Sequence, residues 1–249
     1  MFRYRVYGLT IESDTRFPEL SRLEKPADRI ATDVRIRLRV PRAKMPPLSE
    51  ILKTTTTPNG TPWLTSARVG DGYLLRYAGM ADFILNGAGS QLTCWRVEPG
   101  VSADTIRHLV LDQALPMVLN RRVREALHAT AIVTPKGACA FSGPAGSGKS
   151  TLAASFFLAG FGALGDDCLP LVEQNGSIQV LPGYPGMRLG RDALEALEAL
   201  SAASGVTAPV ADYTSKRRAL ALPSAKNFPR EPVLLSRIYR VVRPKEGEP

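Results

Sequence analysis

The chain has 249 residues, 44% hydrophobic and 22% charged, with a formal net charge of +9. This composition is close to the globular average, and the length suffices for one large domain or two small ones with a sizeable core. No apolar run approaches the ~20 residues of a membrane span, and the N-terminus lacks a charged stretch followed by an apolar one, so a soluble cytoplasmic protein is expected. The three cysteines, Cys94, Cys139 and Cys168, form neither a CxxC pair nor a metal spacing, and each reads as a buried thiol.

The positive charge is uneven. Residues 1–127 hold 19 basic and 13 acidic side chains, residues 128–212 hold 4 and 7, and residues 213–249 hold 9 and 3. Basic runs interleaved with aromatic residues are absent, so a nucleic-acid module is disfavoured and a solvated, arginine-rich surface is the simpler reading.

In chain order, residues 1–12 alternate, with Phe2, Tyr4 and Val6 on one face, as in a half-buried strand. Asp33 to Val40 alternates more strictly, placing arginines toward solvent. Residues 41–66 carry five prolines and a run of four threonines and read as loop. Gly72–Tyr77, Asp82–Leu85 and Gln91–Val97 read as successive antiparallel strands joined by glycine turns. Ser102 caps a helix that Pro116 kinks or splits, and residues 117–127 continue helical. Three parts are expected: a β-rich region over residues 1–101, a linking helix over 102–127 and a nucleotide-binding core over 128–249.

Within that core, Ala129–Val133 and Gly137–Ser142 read as strands. The loop Gly143-Pro144-Ala145-Gly146-Ser147-Gly148-Lys149-Ser150 follows, and a helix pattern runs from Thr151 to Ala159 before Gly160 as C-cap. The loop fits G-x-x-x-x-G-K-[ST] at every fixed position, and strand, glycine loop, helix is the context that gives the motif its meaning. Glycines let backbone N–H groups close around a phosphate, and the helix start adds partial positive charge. Lys149 would reach the β- and γ-phosphates and the Ser150 hydroxyl would ligate Mg²⁺, with ATP as the nucleotide.

Downstream, Asn175-Gly176 between apolar runs signals a hairpin. Pro182–Gly186 reads as loop, Asp192–Leu200 as a short helix, residues 201–232 as loop-rich, and Val233–Val242 as a strand. Three features join the phosphate loop. Asp166 and Asp167 lie where the chain returns from the helix; one could accept a hydroxyl proton and the other help hold Mg²⁺, against the alternative of plain turn aspartates. His128 could hydrogen-bond Asp166 and tune its basicity, although a lone histidine is more often structural. Lys216-Arg217-Arg218 could clamp an anion or form a solvated basic loop in equal measure. His108 sits on a helix pattern and reads as structural.

The segment from Leu127-His128-Ala129 through Gly143–Ser150 to Leu164-Gly165-Asp166-Asp167 resembles the catalytic core of the HPr kinase/phosphorylase family. Tyr7 to Asp14, Phe17 to Leu20, Pro182 to Leu189 and Lys216-Arg217-Arg218 are similar to the smaller HPr kinase-related serine kinases found with peptide-modification clusters, including lasso-peptide kinases. The resemblance implies an α/β fold with a P-loop core, Asp166 as general base positioned by His128, and Asp167 adjacent. It implies substrate or phosphate contacts at Arg188, Lys216 and Arg217, and a serine hydroxyl of a peptide or small protein, such as a lasso-peptide precursor, as acceptor. The resembled family forms hexamers, so a homo-oligomer is compatible with it. No counterpart of the acidic signature of the bifunctional enzymes follows the core, so a kinase with little reverse activity is expected. Relatives continue into further helix where this sequence ends, which suggests a short or truncated member. The rival reading is a nucleotide-binding regulatory ATPase without transfer to a peptide.

Overall fold

The computed structural model describes residues 1–25, 30–38, 47–122, 125–184, 186–190, 193, 195, 210–213, 216–219 and 228–242. The chain divides into two units, Met1–Val123 and Arg124–Pro249.

The first unit is built on an eight-stranded mixed sheet. Its strands are β1 (Phe2–Val6), β2 (Leu9–Ser13), β3 (Val34–Arg37), β4 (Glu50–Thr56), β5 (Pro62–Val69), β6 (Gly72–Tyr77), β7 (Ala81–Leu85) and β8 (Gln91–Val97), in the order β1-β2-β3-β8-β7-β6-β5-β4. Two sequence readings change here. Residues 1–12 are a hairpin rather than one strand, because Tyr7 (φ 54°) and Gly8 (φ 70°) both adopt the left-handed conformation of a tight two-residue turn. The stretch read as loop over 41–66 contains β4 and the start of β5, which pair antiparallel. Its threonines are β-branched and suit a pleated surface, and Pro62 sits at a strand start, where no ladder donor is required.

Buried Tyr4, Ile11, Phe17, Leu20, Leu74, Phe83, Leu85 and Leu92 form much of this unit's core. Tyr4 meets Phe17 edge to face at 6.1 Å, and its hydroxyl accepts the Phe17 N–H at 2.8 Å. Helix α1 (Ala103–Leu109) starts where Ser102 accepts the Thr105 N–H at 3.1 Å. A single π-helical turn over Val110–Ala114 separates it from α2 (Leu115–Arg121), whose second residue is Pro116. The helix is therefore split at the proline, as its missing N–H requires. Arg107 reaches the buried Glu19 at 3.2 Å, and Arg122 reaches Asp33 at 3.2 Å, tying the helical segment to the sheet side of the unit. The helix does not run on to residue 127.

In the second unit Ala126–Leu127 form β9, pairing with Pro170 and Leu169, so cross-strand hydrogen bonding overrides local helix propensity there. The other strands are β10 (Ala129–Thr134) and β11 (Gly137–Ser142), then helix α3 (Lys149–Leu158), β12 (Gly162–Gly165), β13 (Leu169–Gln174), β14 (Ser177–Val180), β15 (Met187–Gly190), β16 (Val210–Tyr213), β17 (Lys216–Ala219) and β18 (Val233–Arg240). Seven of them make a sheet in the order β12-β10-β11-β18-β14-β13-β9, with β11 and β18 parallel. Asn175 (φ 52°) and Gly176 (φ 71°) form the hairpin turn between β13 and β14.

The edges of this sheet meet. Strand β9 continues into β10 across His128, and β12 continues into β13 across Asp166–Cys168. Because β9 pairs with β13 while β10 pairs with β12, the two junctions lie side by side. One face of the sheet is lined by small residues, Ala129, Ala131, Ala138 and Ala140, with Leu164 and Leu169. The other carries Ile132 and Phe141 against Ala153, Ala154 and Phe157 of α3.

The region read as loop-rich over 201–232 contains β16 and β17, which join β15 in a separate antiparallel sheet. The helix expected over Asp192–Leu200 lies outside the described residues except at 193 and 195. Among the described residues strands predominate in both units and helices are few, a more β-rich architecture than the expected α/β. Among the described residues no helix is long and apolar enough to cross a membrane.

Candidate functional site

Strand β11 ends at Ser142, and the chain turns at once. Gly143 has φ 146°, and a Cβ there would lie 2.3 Å from the Val241 carbonyl oxygen, so this position admits no side chain. Gly146 (φ 77°) and Gly148 (φ 95°) have open space around them; there it is the left-handed backbone that calls for glycine. The Ser147 N–H closes the turn on the Pro144 carbonyl at 3.2 Å, and Val241, just past the parallel neighbour β18, donates its N–H to Ser142 at 2.7 Å.

Helix α3 starts at Lys149, two residues earlier than Thr151, and ends where sequence places its cap. Gly160 (φ 94°) donates to Phe157 at 2.9 Å and Phe161 donates to Phe156 at 3.1 Å, the paired bonds of a Schellman cap. The Lys149 side chain is buried and folds back over the start of the loop, its Nζ donating to the Gly143 carbonyl at 2.9 Å and the Pro144 carbonyl at 3.0 Å. An ammonium has three donors, so two carbonyls leave it able to engage an anion.

Ser150 Oγ donates to Asp166 Oδ1 at 2.8 Å, and Thr130 Oγ1 donates to the same oxygen. Asp166 therefore sits beside the helix start, at the paired junctions of the sheet. Asp167 follows in the left-handed region (φ 62°), and the Cys168 N–H closes this short turn on the Asp166 carbonyl at 2.8 Å.

His128 meets the turn at its backbone. Its Nδ1 lies 3.0 Å from the Asp167 carbonyl oxygen, where the expected bond was to the Asp166 carboxylate. A carbonyl only accepts, so the bond requires the proton on Nδ1. The strand junctions explain the difference: His128 lies between β9 and β10, level with the middle of the turn, whereas Thr130 is the residue whose side chain reaches Asp166. Thr130 is a neighbour of the candidate site that sequence reading missed. Its one signal was a hydroxyl in an otherwise apolar strand, Ala129-Thr130-Ala131-Ile132-Val133, where a fully buried hydroxyl needs a partner.

Cys168 is buried in this turn, and burial, with the Asp167 carboxylate adding to it, pushes its thiol up to about 12. It is an unreactive thiol. Cys94 is buried too, while Cys139 is half-buried rather than buried. Arg188, Lys216 and Arg217 are placed by backbone register alone: Arg188 opposite Arg218, Leu189 opposite Arg217, Gly190 opposite Lys216. Met187 and Leu189 pack in the same cluster as Ala153, Ala154 and Phe157, so β15 lies against the loop helix. Pro182–Tyr184 is irregular, as read, with the Gly183 N–H on the Leu164 carbonyl at 2.9 Å.

The residues present suit a bound phosphate and a small hard cation. Ser147 Oγ, inside the loop, is shielded from water and has no hydrogen-bond partner among the described residues, which leaves a donor for a ligand oxygen. Among the described residues no group of three or more His, Cys, Asp or Glu side chains could hold a metal. A hydroxyl with one of the two adjacent carboxylates, Ser150 with Asp166 or Asp167, matches Mg²⁺, which is held by one or two carboxylates together with phosphates and water.

No family model matches the chain, and no curated protein matches it. Among solved structures it is similar to the HPr(Ser) kinase/phosphatase from Coxiella burnetii, at 27% identity over 22% of this chain and 34% of that one, with a TM-score of 0.22. The chain thus spans about a third of that protein's length, and the likeness is local.

Proposed function

We propose that the chain is an ATP-dependent phosphotransferase that moves the γ-phosphoryl group to a hydroxyl, a serine of a peptide or small protein such as a lasso-peptide precursor. The observation that carries this reading is the Ser150–Asp166 hydrogen bond at 2.8 Å, which sets a carboxylate against the first turn of the helix that the glycine loop opens. A loop that only bound nucleotide would not require a proton acceptor there, which is what Asp166→Asn tests.

In this reading the loop 143–150, with Thr151 after it, wraps the phosphates. Lys149 exchanges its two loop carbonyls for phosphate oxygens. Ser150 and the neighbouring carboxylate of Asp167 would hold Mg²⁺, which would supply positive charge to the phosphate oxygens. Asp166, already an acceptor of two hydroxyl protons, is the group that takes the proton of the attacking serine. His128 acts through the Asp167 backbone as a positioning residue, and Arg188, Lys216 and Arg217 contact the substrate. Transfer then depends chiefly on positioning and charge.

The test is thermal shift with Mg-ATP, followed by incubation with serine-containing peptides and mass spectrometry. Wild type should melt higher with Mg-ATP, as a selectively bound ligand requires, and Lys149→Ala should not. Asp166→Asn should keep the shift and lower transfer by roughly 10²–10⁴-fold. His128→Ala should lower it less. If Asp166→Asn abolishes the ATP shift instead, Asp166 belongs to the metal and not to the proton. Offering phosphopeptide with inorganic phosphate or pyrophosphate should release little free peptide. A wild-type melting temperature indifferent to Mg-ATP would remove the whole reading.

A further inference from the structure

Helix α3 packs chiefly on β10, and beside it, over β11 and β18, a groove of about 640 Å³ is left. Phe141, Leu152, Phe156, Tyr239, Val241 and Val242 line much of it. The volume falls among those of small-ligand sites, roughly 300–1,000 Å³, and the lining is mostly apolar and aromatic, as theirs is. The groove opens where the glycine loop begins. Phe141 stands two residues before Gly143, Leu152 lies in the first turn of α3, and Val241 donates its N–H to Ser142 at 2.7 Å. Strands β11 and β18 are parallel, so both run toward the loop, and the crevice beyond such carboxyl ends is where ligands bind in open sheets.

A second observation concerns the rings. Phe156 of α3 stacks on Phe141 of β11, with centroids 5.6 Å and planes 11° apart, and Phe141 stacks on Tyr239 of β18 at 6.0 Å and 27°. The row runs from the helix across β11 to β18. Phe141 is buried, whereas Tyr239 is 44% exposed, so the row ends on an open ring. Among the described residues β18 pairs with β14 only at Val233 and Leu234, and no strand stands beyond Tyr239. Arg237 Nη1 donates to the Tyr239 hydroxyl at 3.1 Å, which helps to fix the ring. Aromatic rings gain from an offset-stacked neighbour beyond the area they bury, so a flat ring is what continues this row.

We infer that this groove seats the base of the nucleotide, stacked on Tyr239. The inference rests on the reading of the glycine loop as a phosphate site, and it supplies what that loop lacks, a surface for the base. In the order β12-β10-β11-β18 the loop leaves β11 with a neighbour on each side. Ser150 meets Asp166 on the β10–β12 side, and at its loop end the groove lies on the β18 side. Transfer at Asp166 assigns the γ-phosphate to the first side, which leaves the second for the base. Arg240, in register with Ser142, adds a cation where the groove meets the loop, as suits a ligand that is apolar at one end and anionic at the other. An aliphatic ligand could fill the same space but would gain nothing from a parallel ring.

The experiment uses the full chain and compares Mg-ATP with Mg-methyl triphosphate, which carries the same phosphates without sugar or base. Thermal shift over a range of ligand concentrations reads both, and the triphosphate of 2-aminopurine riboside, whose fluorescence is quenched by stacking, probes the ring contact. Wild type should bind ATP more tightly than methyl triphosphate and should quench the 2-aminopurine. Tyr239→Ala should weaken ATP by roughly 5- to 100-fold, as loss of a base-stacking ring does, leave methyl triphosphate unchanged and abolish the quenching. Tyr239→Phe keeps the ring and should bind ATP nearly as wild type does. Unchanged binding of methyl triphosphate also shows that the Tyr239→Ala loop is intact. The base site is rejected, and the loop stands, if wild type binds the two ligands equally, if Tyr239→Ala binds ATP as wild type does, if it loses both ligands alike, or if wild type leaves the 2-aminopurine unquenched. A wild-type chain that responds to neither ligand removes the loop reading and the base site with it.

Discussion

Gly143 shows how much can depend on a missing atom. Its backbone lies so close to the Val241 carbonyl that a methyl group would sit at 2.3 Å, and the obstacle is main chain, which cannot rotate away. Gly143→Ala should displace the start of the loop from β18, lower the melting temperature and abolish the Mg-ATP shift, whereas Gly143 itself makes no side-chain contact with anything. Cys168 illustrates the reverse case, a reactive atom silenced by its surroundings. With its thiol pushed up to about 12, the neutral form persists through the physiological range. Iodoacetamide at pH 8 should label Cys168 only after denaturation, and peptide mapping of native and unfolded protein would show it. Labelling of Cys168 in the native state would mean that the Asp166–Cys168 turn opens far more readily than its buried position suggests.

At the scale of elements, helix ends offer the sharpest tests. Ser102 caps α1 through the Thr105 N–H, and Ser102→Ala should cost about 1 kcal/mol in urea denaturation. Gly160 ends α3 at φ 94° with open space around it, so Gly160→Ala carries a conformational cost of roughly 1–2 kcal/mol and no steric one. That loss should appear without any change in nucleotide response, because the cap lies at the far end of α3 from Lys149. The threonine-rich stretch before β5 makes the opposite point. Prolines and polar residues suggested loop, yet Thr54, Thr55 and Thr56 pair with Thr65, Leu64 and Pro62. Composition describes which residues face water; it does not say whether the backbone beneath them is paired.

At the scale of the molecule, two units each carry their own sheet and core. In the first, Arg76 grips the buried Asp82 across β6 and β7 at 3.0 and 3.1 Å, and this bond raises the pKa of the guanidinium. Asp82→Ala leaves a cation without its partner. The loss should be about 2–3 kcal/mol, below the ~3–5 of a fully buried pair because the Arg76 side chain is 31% exposed to screening water. Calorimetry should place that loss in the transition of the first unit, and Mg-ATP should raise the other. A nucleotide shift that moved with Asp82→Ala would show the two units to be energetically coupled.

The glycine loop, its flanking strand and helix, the Asn175-Gly176 turn and the Ser102 cap were legible in the sequence. Each is a local device, in which neighbouring residues by themselves dictate the backbone: glycine for left-handed φ, a hydroxyl for an orphan N–H, an apolar run for a buried strand. What was not legible depends on residues far apart in the chain. The closure that sets β9–β10 beside β12–β13 decides that Thr130 rather than His128 bonds Asp166. Pairing with Pro170 and Leu169 turns the expected helix end at Ala126–Leu127 into a strand. The convergence of Arg3, Arg35 and Arg37 on Glu12 exists only through the registers of β2 with β1 and with β3. A sequence determines which groups are available and how their own backbone bends. Which distant group each one meets is decided by sheet register, which no short window of residues contains.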